Sequence, residues 1–305
     1  MMTAYTQVSA NKFKTWIIMF FFSVFVTFVF FVFASAYGYD FPSALGLSGF
    51  ALVLSGIMNF ISFYNSDKIV MAISGAKQIA KKDNPTLFRI VENLSIASGM
   101  PLPKIYIIDD TAPNAFATGR DPQHAAIAFT TGIISKLDRL ELEGVAAHEL
   151  SHVGNYDTRL MAIVSILVGT VALAADFFLR ISFYGRGNRD EDRGQAAAIF
   201  MVLGIFMAIL APIIAMLIQL SISRKREYLA DASGALLTRN PDSLVDALIK
   251  ISNDREPLEA ANKATAHLYI SDPLKNQKGA ITLFAKLFQT HPPIAERVKA
   301  LRAMQ

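Results

Sequence analysis

The chain has 305 residues, 53% of them hydrophobic, a net charge of +4 and no cysteine. That apolar fraction excludes an ordinary soluble domain and suits membrane segments joined to one catalytic-sized unit. The small positive charge clusters beside apolar stretches, which argues against a nucleic-acid surface, and without cysteine any metal must be held by histidine and carboxylate.

From the N-terminus, residues 15–39 carry no charge and are rich in Phe and Val, with Trp16 and Tyr37 where interfacial aromatics belong. The stretch is too long for the apolar core of a signal peptide and lacks a convincing cleavage site, so it reads as a retained span. Residues 41–66 are also charge-free, and Asp40 with Pro42 turns the pair into a tight hairpin. Asn84-Pro85 then opens an amphipathic helix to about Ser98, with Leu87, Ile90, Val91 and Leu94 on one face, stopped by Gly99-Met100-Pro101. Lys104 to Asp109 and Ala125 to Thr130 read as strands, with a turn between them near residues 119–123.

Leu140 to Val153 is predicted to be helical, with Glu141 and Glu143 in its first turn and Gly154 just past its end. Inside it runs His148-Glu149-Leu150-Ser151-His152. Positions i and i+4 of a helix share one face, so the two imidazoles aim at one metal ion. Glu149, about 100° further round, is placed to hold a water beside that metal. Two histidine ligands and a glutamate general base are the arrangement of a zinc hydrolytic site.

Residues 160–179, carrying Asp176, read as a third span, with a buried soluble helix as the alternative. A polar loop over 180–193 leads to residues 194–223, thirty residues without a charge and with Pro212 inside. Helices are expected over 226–237, 241–252 and 293–304, the second capped by Asn240 ahead of Pro241. A catalytic zinc needs a third protein ligand. Glu227 is the candidate, and Asp231, one turn later, is spaced to accept the second N–H of a ligating histidine. On spacing alone, Glu227 reads equally well as a surface carboxylate paired with Arg224 or Arg226. His152 and Glu227 are 75 residues apart, and two spans between them return the chain to one side, where all the ligands can meet. Ten Lys and Arg residues flank the spans on that side: Lys12, Lys14, Lys68, Lys77, Lys81, Lys82, Arg159, Arg224, Lys225 and Arg226. Four, Arg180, Arg186, Arg189 and Arg193, lie on the other, so the predicted site faces the cytoplasm. His124 and His267 read as surface or structural.

Five patches resemble the HtpX-type membrane zinc metalloproteases, relatives of the CaaX prenyl endopeptidases: residues 114–119 (Asn-Ala-Phe-Ala-Thr-Gly), 147–152 (Ala-His-Glu-Leu-Ser-His), 155–157 (Asn-Tyr-Asp), 227–231 (Glu-Tyr-Leu-Ala-Asp) and 291–297 (His-Pro-Pro-Ile-Ala-Glu-Arg). Their order and spacing cover nearly the whole chain. The resemblance implies a mainly α integral membrane protein, with four transmembrane helices plus an α+β zincin-like metalloprotease domain with a small sheet. The corresponding segments are an N-terminal hairpin (1–66), a first catalytic part (67–159), a second hairpin (160–223) and a second catalytic part (224–305). It implies one zinc ion held by His148, His152 and Glu227, with Glu149 as base and Asp231 behind a ligand. Asn114, Ala115 and Phe116 match a substrate-binding segment in which an extended peptide pairs with an edge strand. His291 is expected either to stabilise the transition state or to cap a helix, and Arg297 either to pair with Glu227 or Asp231 or to lie on the surface. The implied biology is cleavage of misfolded or damaged membrane proteins under stress, in the inner membrane of a bacterium, with the lipid bilayer and membrane-protein substrates as partners. A prenyl-protein processing protease is the alternative within the enzyme class. A silent scaffold with a structural zinc site is the alternative outside it, and there Glu149 would have no use.

Overall fold

A computed structural model describes residues 4–36, 39–184, 224–259, 265, 268–270 and 292–304. The chain opens with two 33-residue helices, α1 (Ala4–Ala36) and α2 (Phe41–Ile73). Their segments Val8–Phe31 and Phe41–Ile73 are long and apolar enough to cross a membrane. Helix α2 is inverted relative to a helix in water. The buried stripe of α2 is small or polar, through Ala44, Ser48, Ala51, Ser55, Asn59, Ser62 and Ser66, while Phe50, Val53, Ile57 and Phe60 are exposed. Small residues at an interface let helix backbones approach where lipid supplies no hydrophobic drive. Asn59 adds a polar clamp, donating to the Met19 carbonyl at 3.0 Å and the Ser23 hydroxyl at 2.9 Å on α1.

The middle of the chain builds a four-stranded sheet from β1 (Lys77–Gln78), β2 (Lys104–Ile108), β3 (Ala115–Gly119) and β4 (Ala125–Thr130), in the order β1-β2-β4-β3. Helix α3 (Pro85–Ser98) precedes β2, with Asn84 accepting from the Leu87 N–H and Gly99 closing it in the left-handed region. The turn expected near residues 119–123 is present, but it does not join the two predicted strands directly, because the unpredicted strand β3 lies between them. β2 and β4 are parallel neighbours, and residues 120–124 instead join β3 to β4 as an antiparallel pair. Gly119, at φ 130°, makes that connection possible, because a Cβ there would sit 2.2 Å from the His124 carbonyl oxygen. The sequence hid β3 because Ala and Gly are poor strand formers and every residue of it is buried, which erases the alternation.

Helices α4 (Thr131–Lys136), α5 (Arg139–Gly154) and α6 (Asp157–Tyr184) follow, then α7 (Arg224–Thr238), α8 (Pro241–Asn253) and α9 (Ile294–Arg302). Each predicted soluble helix appears within two or three residues of its expected bounds. The expected span over 194–223, the loop residues from 185, His267 and His291 lie outside the described residues. The sheet divides two apolar layers. Ile105, Ala117, Ile127 and Phe129 face one core shared with α3, α5 and α8. Phe116, Ala126 and Ala128 face the other, shared with Val70 and Met71 at the end of α2 and with Met161, Ala162 and Ile166 of α6. Leu160, Ile163, Val164 and Leu167 of α6 also pack on Ile18, Met19 and Phe22 of α1. The long helices are thereby fixed to the sheet and not merely tethered to it.

Phe129 is wholly buried at the centre of this arrangement. Phe129→Ala is expected to destabilise the protein by about 3–5 kcal/mol through the cavity it leaves. The check is the thermal midpoint of the purified protein in detergent, with Leu140→Ala, at an exposed site, as the substitution that should leave it unmoved.

Candidate metal centre

Helix α5 is fixed at its start by a reciprocal cap, in which Asp138 accepts from the Glu141 N–H and Glu141 accepts from the Asp138 N–H. Its residues from Val145 to Val153 are all buried, so His148 and His152 project into the protein and not into solvent. Helix α7 lies against α5 at unusually short range. A Cβ on Gly234 would lie 3.0 Å from the His148 nitrogen and 3.2 Å from its Cα. Two turns earlier on the same helix, Glu227 is carried to the imidazoles by that close approach.

The two rings stand perpendicular, 4.7 Å apart. Their Nε2 atoms are 3.2 Å from one another, and Glu227 oxygens lie 3.4 Å from the Nε2 of His152 and 3.8 Å from that of His148. Tetrahedral coordination with bonds of 2.0–2.1 Å requires donors about 3.3 Å apart. The second nitrogen of each ring is committed elsewhere: His148 Nδ1 is 2.9 Å from Asp231 Oδ1, and His152 Nδ1 is 3.0 Å from Asp157 Oδ2. A carboxylate behind each ring fixes the tautomer that turns Nε2 towards the shared point. These three donors form a group able to hold a metal ion.

The charges agree with that reading. Glu149, Asp157, Glu227 and Asp231 are buried carboxylates around the point, and Arg226 and Arg297 are the buried cations facing them. Two negative charges remain, which one divalent cation would balance. Burial pushes the His152 imidazole down, but the Asp157 hydrogen bond and the charges of Glu227, Asp157 and Glu149 outweigh it and raise it to about 9. The field that holds a proton there equally favours a metal cation. Burial likewise pushes the Asp231 carboxyl up, and Arg297 together with His148 overrides this and lowers it to about 2.

Several sequence alternatives resolve in the structure. Arg226 pairs with Asp157 at 3.3 Å. Arg297 is fully buried and not on the surface, and its Nε and Nη2 grip the two Asp231 oxygens at 2.9 and 2.6 Å. His124 is exposed and bound to Asp121, in keeping with a surface role. The sequence reading missed Asp157 as a histidine partner, although it sits five residues after His152 in a noted patch. It also missed Asn11 of α1, whose Nδ2 donates to Asp157 Oδ1 at 2.7 Å and to the Asn155 carbonyl at 3.0 Å. No local signal could have linked residues 146 positions apart.

Ala117, His148, Glu149, His152, Thr158, Met161, Leu268 and Ile270 line one cleft. β3 is the edge strand beside it. Asn114 is buried at the start of β3, where its backbone N–H donates to the Thr130 hydroxyl. The side chains of Ala115 and Phe116 are buried too, Phe116 edge-on to Tyr269 at 4.9 Å, so only main chain is presented at this edge. The Ile270 N–H donates to the Ala115 carbonyl and the Thr158 hydroxyl to that of Gly119. Strand residues alternate in the direction of their main-chain groups. Ala117, midway between, therefore turns its N–H and C=O outward, beside the histidines.

Comparison with known proteins agrees in extent. The family described as Peptidase family M48 matches residues 81–305. A protease HtpX homolog of Dictyoglomus thermophilum is 43% identical over 306 residues, spanning 99% of this chain and 95% of the relative. Another from Tropheryma whipplei is 43% identical over 302 residues, spanning 98% of each, and one from Lactobacillus helveticus is 42% identical over 307. Among solved structures, the crystal structure of S. mikatae Ste24p aligns with a TM-score of 0.49 at 20% identity, covering 97% of this chain and 66% of that one.

The contact at Gly234 gives a direct test of the helix pairing. Gly234→Ala forces a methyl against the His148 backbone and is expected to destabilise by roughly 1–3 kcal/mol. Gly46→Ala, where a Cβ meets nothing within 4 Å, should not lower the thermal midpoint at all.

Proposed function

The chain belongs to peptidase family M48 and is a metalloprotease, and we propose that it is a zinc-dependent endopeptidase that cleaves membrane proteins from the cytoplasmic side of a bacterial inner membrane. The observation that carries this reading is the convergence of His148 Nε2, His152 Nε2 and Glu227 on one point in a cleft that also holds Glu149. His148, His152 and Glu227 would hold one zinc ion. When bound, zinc supplies Lewis acidity, bringing the ionisation of a water close to neutral pH and polarising a carbonyl. The Glu149 carboxylate accepts the proton of the attacking water and delivers it to the leaving amine, so neither a covalent intermediate nor a Ser or Cys nucleophile is required. Asp231 and Asp157 hold the two imidazoles in register, and Arg297 holds Asp231. The substrate lies extended along β3, hydrogen-bonded to the outward main chain of Ala117, the edge position that faces the cleft between Ala115 and Gly119. Asn114 to Phe116 shape that edge from its buried side.

The membrane placement rests on the length and apolar character of α1 and α2, on the inverted face of α2 and on the Lys and Arg asymmetry. In this reading the segments 1–66 and 160–223 are transmembrane hairpins, and 67–159 with 224–305 form the cytoplasmic catalytic unit. By resemblance, the substrates are misfolded or damaged membrane proteins accumulating under stress. A silent scaffold would have no need of Glu149, and a prenyl-protein processing enzyme of this family uses more spans around a larger chamber.

Glu149→Gln is expected to keep zinc near one per chain while slowing proteolysis by about 10²–10⁴-fold. Glu227→Ala should lose zinc outright, and Asp157→Ala and Asp231→Ala should each weaken it by about 10–100-fold. Zinc content and competition with a chromophoric chelator, measured beside cleavage of a membrane-protein substrate, read all four. Wild-type turnover in Glu149→Gln would remove the general base, and tight zinc in Glu227→Ala would remove the third ligand.

Topology is tested separately in this cysteine-free chain. Lys81→Cys, Gly187→Cys and Gln305→Cys are labelled in intact cells with an impermeant thiol reagent. Labelling is expected at Gly187 alone. Labelling at Lys81 would invert the protein, and protection of all three would mean that the second hairpin does not cross.

A further inference from the structure

Three long helices meet at one level beside the metal centre: the first turns of the α1 span, the last turns of the α2 span and the start of α6. Aromatic and basic side chains gather there. Lys12 Nζ lies 4.3 Å from the centre of the Tyr156 ring, and Arg159 Cζ lies 5.1 Å from that same ring and 5.1 Å from Phe63. Phe63 stacks on Trp16 at 5.7 Å. Arg120 stands over Tyr64 at 4.9 Å, with Asp121 3.3 Å from its Nε. Asp121 is the nearby acid, and it is already shared between Arg120 and His124. Arg159 uses its Nε on the Arg120 carbonyl, which leaves both terminal nitrogens without a hydrogen bond among the described residues. Neither Lys12 nor Arg159 has a carboxylate within ion-pair distance among those residues. Two partly buried cations thus meet at one aromatic ring, with no carboxylate between them among the described residues.

We propose that Lys12 and Arg159, gathered on Tyr156, form a binding site for the phosphate of an anionic phospholipid headgroup in the leaflet on the active-site side. The inference rests on reading α1 and α2 as membrane helices. A guanidinium presents a planar fork that matches phosphate oxygens, and a lysine adds a mobile point charge. The depth is right as well: Trp16, Phe63 and Tyr64 are interfacial aromatics by position, and a polybasic rim at that level attracts anionic lipid. The site also touches the metal centre. Tyr156 is held at φ 59°, a left-handed conformation costly for a bulky residue, between the end of α5 and Asp157. Asn11, next to Lys12, donates to Asp157, which accepts from His152. A headgroup seated on Lys12 and Tyr156 would steady the residues on either side of that hydrogen bond.

Trp16 is the single tryptophan of the chain and is 57% exposed, which makes it a built-in probe. The full-length protein is reconstituted in phosphatidylcholine vesicles containing a minor fraction of either phosphatidylglycerol or phosphatidylcholine brominated near the top of the acyl chains. Brominated phosphatidylglycerol is expected to quench Trp16 more strongly at equal mole fraction. Lys12→Gln and Arg159→Gln should each weaken that preference about fivefold, while quenching by the brominated phosphatidylcholine persists. Lys14→Gln, an exposed lysine two residues along the same helix and on another face, should leave the preference intact. Equal quenching by the two lipids, or an equal loss in Lys12→Gln and Lys14→Gln, would overturn the site. Quenching by neither lipid would overturn the membrane placement and the site with it. Displacement of the lipid preference by inorganic phosphate at constant ionic strength would reassign the cations to a soluble anion and overturn the lipid assignment.

Discussion

The structure is organised around an imbalance of buried charge. Four carboxylates, Glu149, Asp157, Glu227 and Asp231, are nearly sealed from solvent within one region, and two arginines answer them. Ionised groups cost several kcal/mol each to bury unless they are paired and hydrogen-bonded. Most of the long-range polar contacts near the site discharge that cost. Arg297 comes from the last helix, Arg226 from α7, and Asn11 from the first helix of the chain. The remaining deficit matches one divalent cation between two imidazoles whose outer nitrogens are already engaged. In such a centre the metal is a structural counter-charge as much as a reagent.

This arrangement makes the soluble and apolar parts interdependent. The sheet offers one face to α5, which carries both histidines, and to its neighbours α3 and α8, and the other to the ends of α2 and α6. Alanines at 126 and 128 keep the second face flat enough for those helices to approach. Asn11 then reaches across to the partner of His152, so the first long helix touches the centre through two hydrogen bonds. Displacement of α1 would be felt at the imidazole and not only at the surface. Lys12 and Arg159 continue the same link outward around the ring of Tyr156.

Local pattern was enough for much of this. The i, i+4 histidines, the caps at Asn84 and Asn240 and the apolar stripes of the soluble helices are short-range features, and they appeared close to where periodicity placed them. The apolar character of α1 and α2 was likewise readable as long charge-free runs. What failed was the strand Ala115 to Gly119. Its small residues and burial on both faces leave no alternation, and its pairing with β4 depends on a turn that only a glycine at positive φ permits.

The amino-acid sequence by itself determined which side chains were fit for the chemistry, because a helix converts spacing directly into direction. It could not decide between equivalent partners. Whether Glu227 met the histidines or an arginine, whether Arg297 was buried and which side chains held Asp157 in place behind His152 depended on contacts 66 to 146 residues apart. Those choices belong to the tertiary structure. The absence of a Cβ at Gly234 sets how closely α7 meets α5, and the packing of α9 and α1 sets which charges share the buried volume.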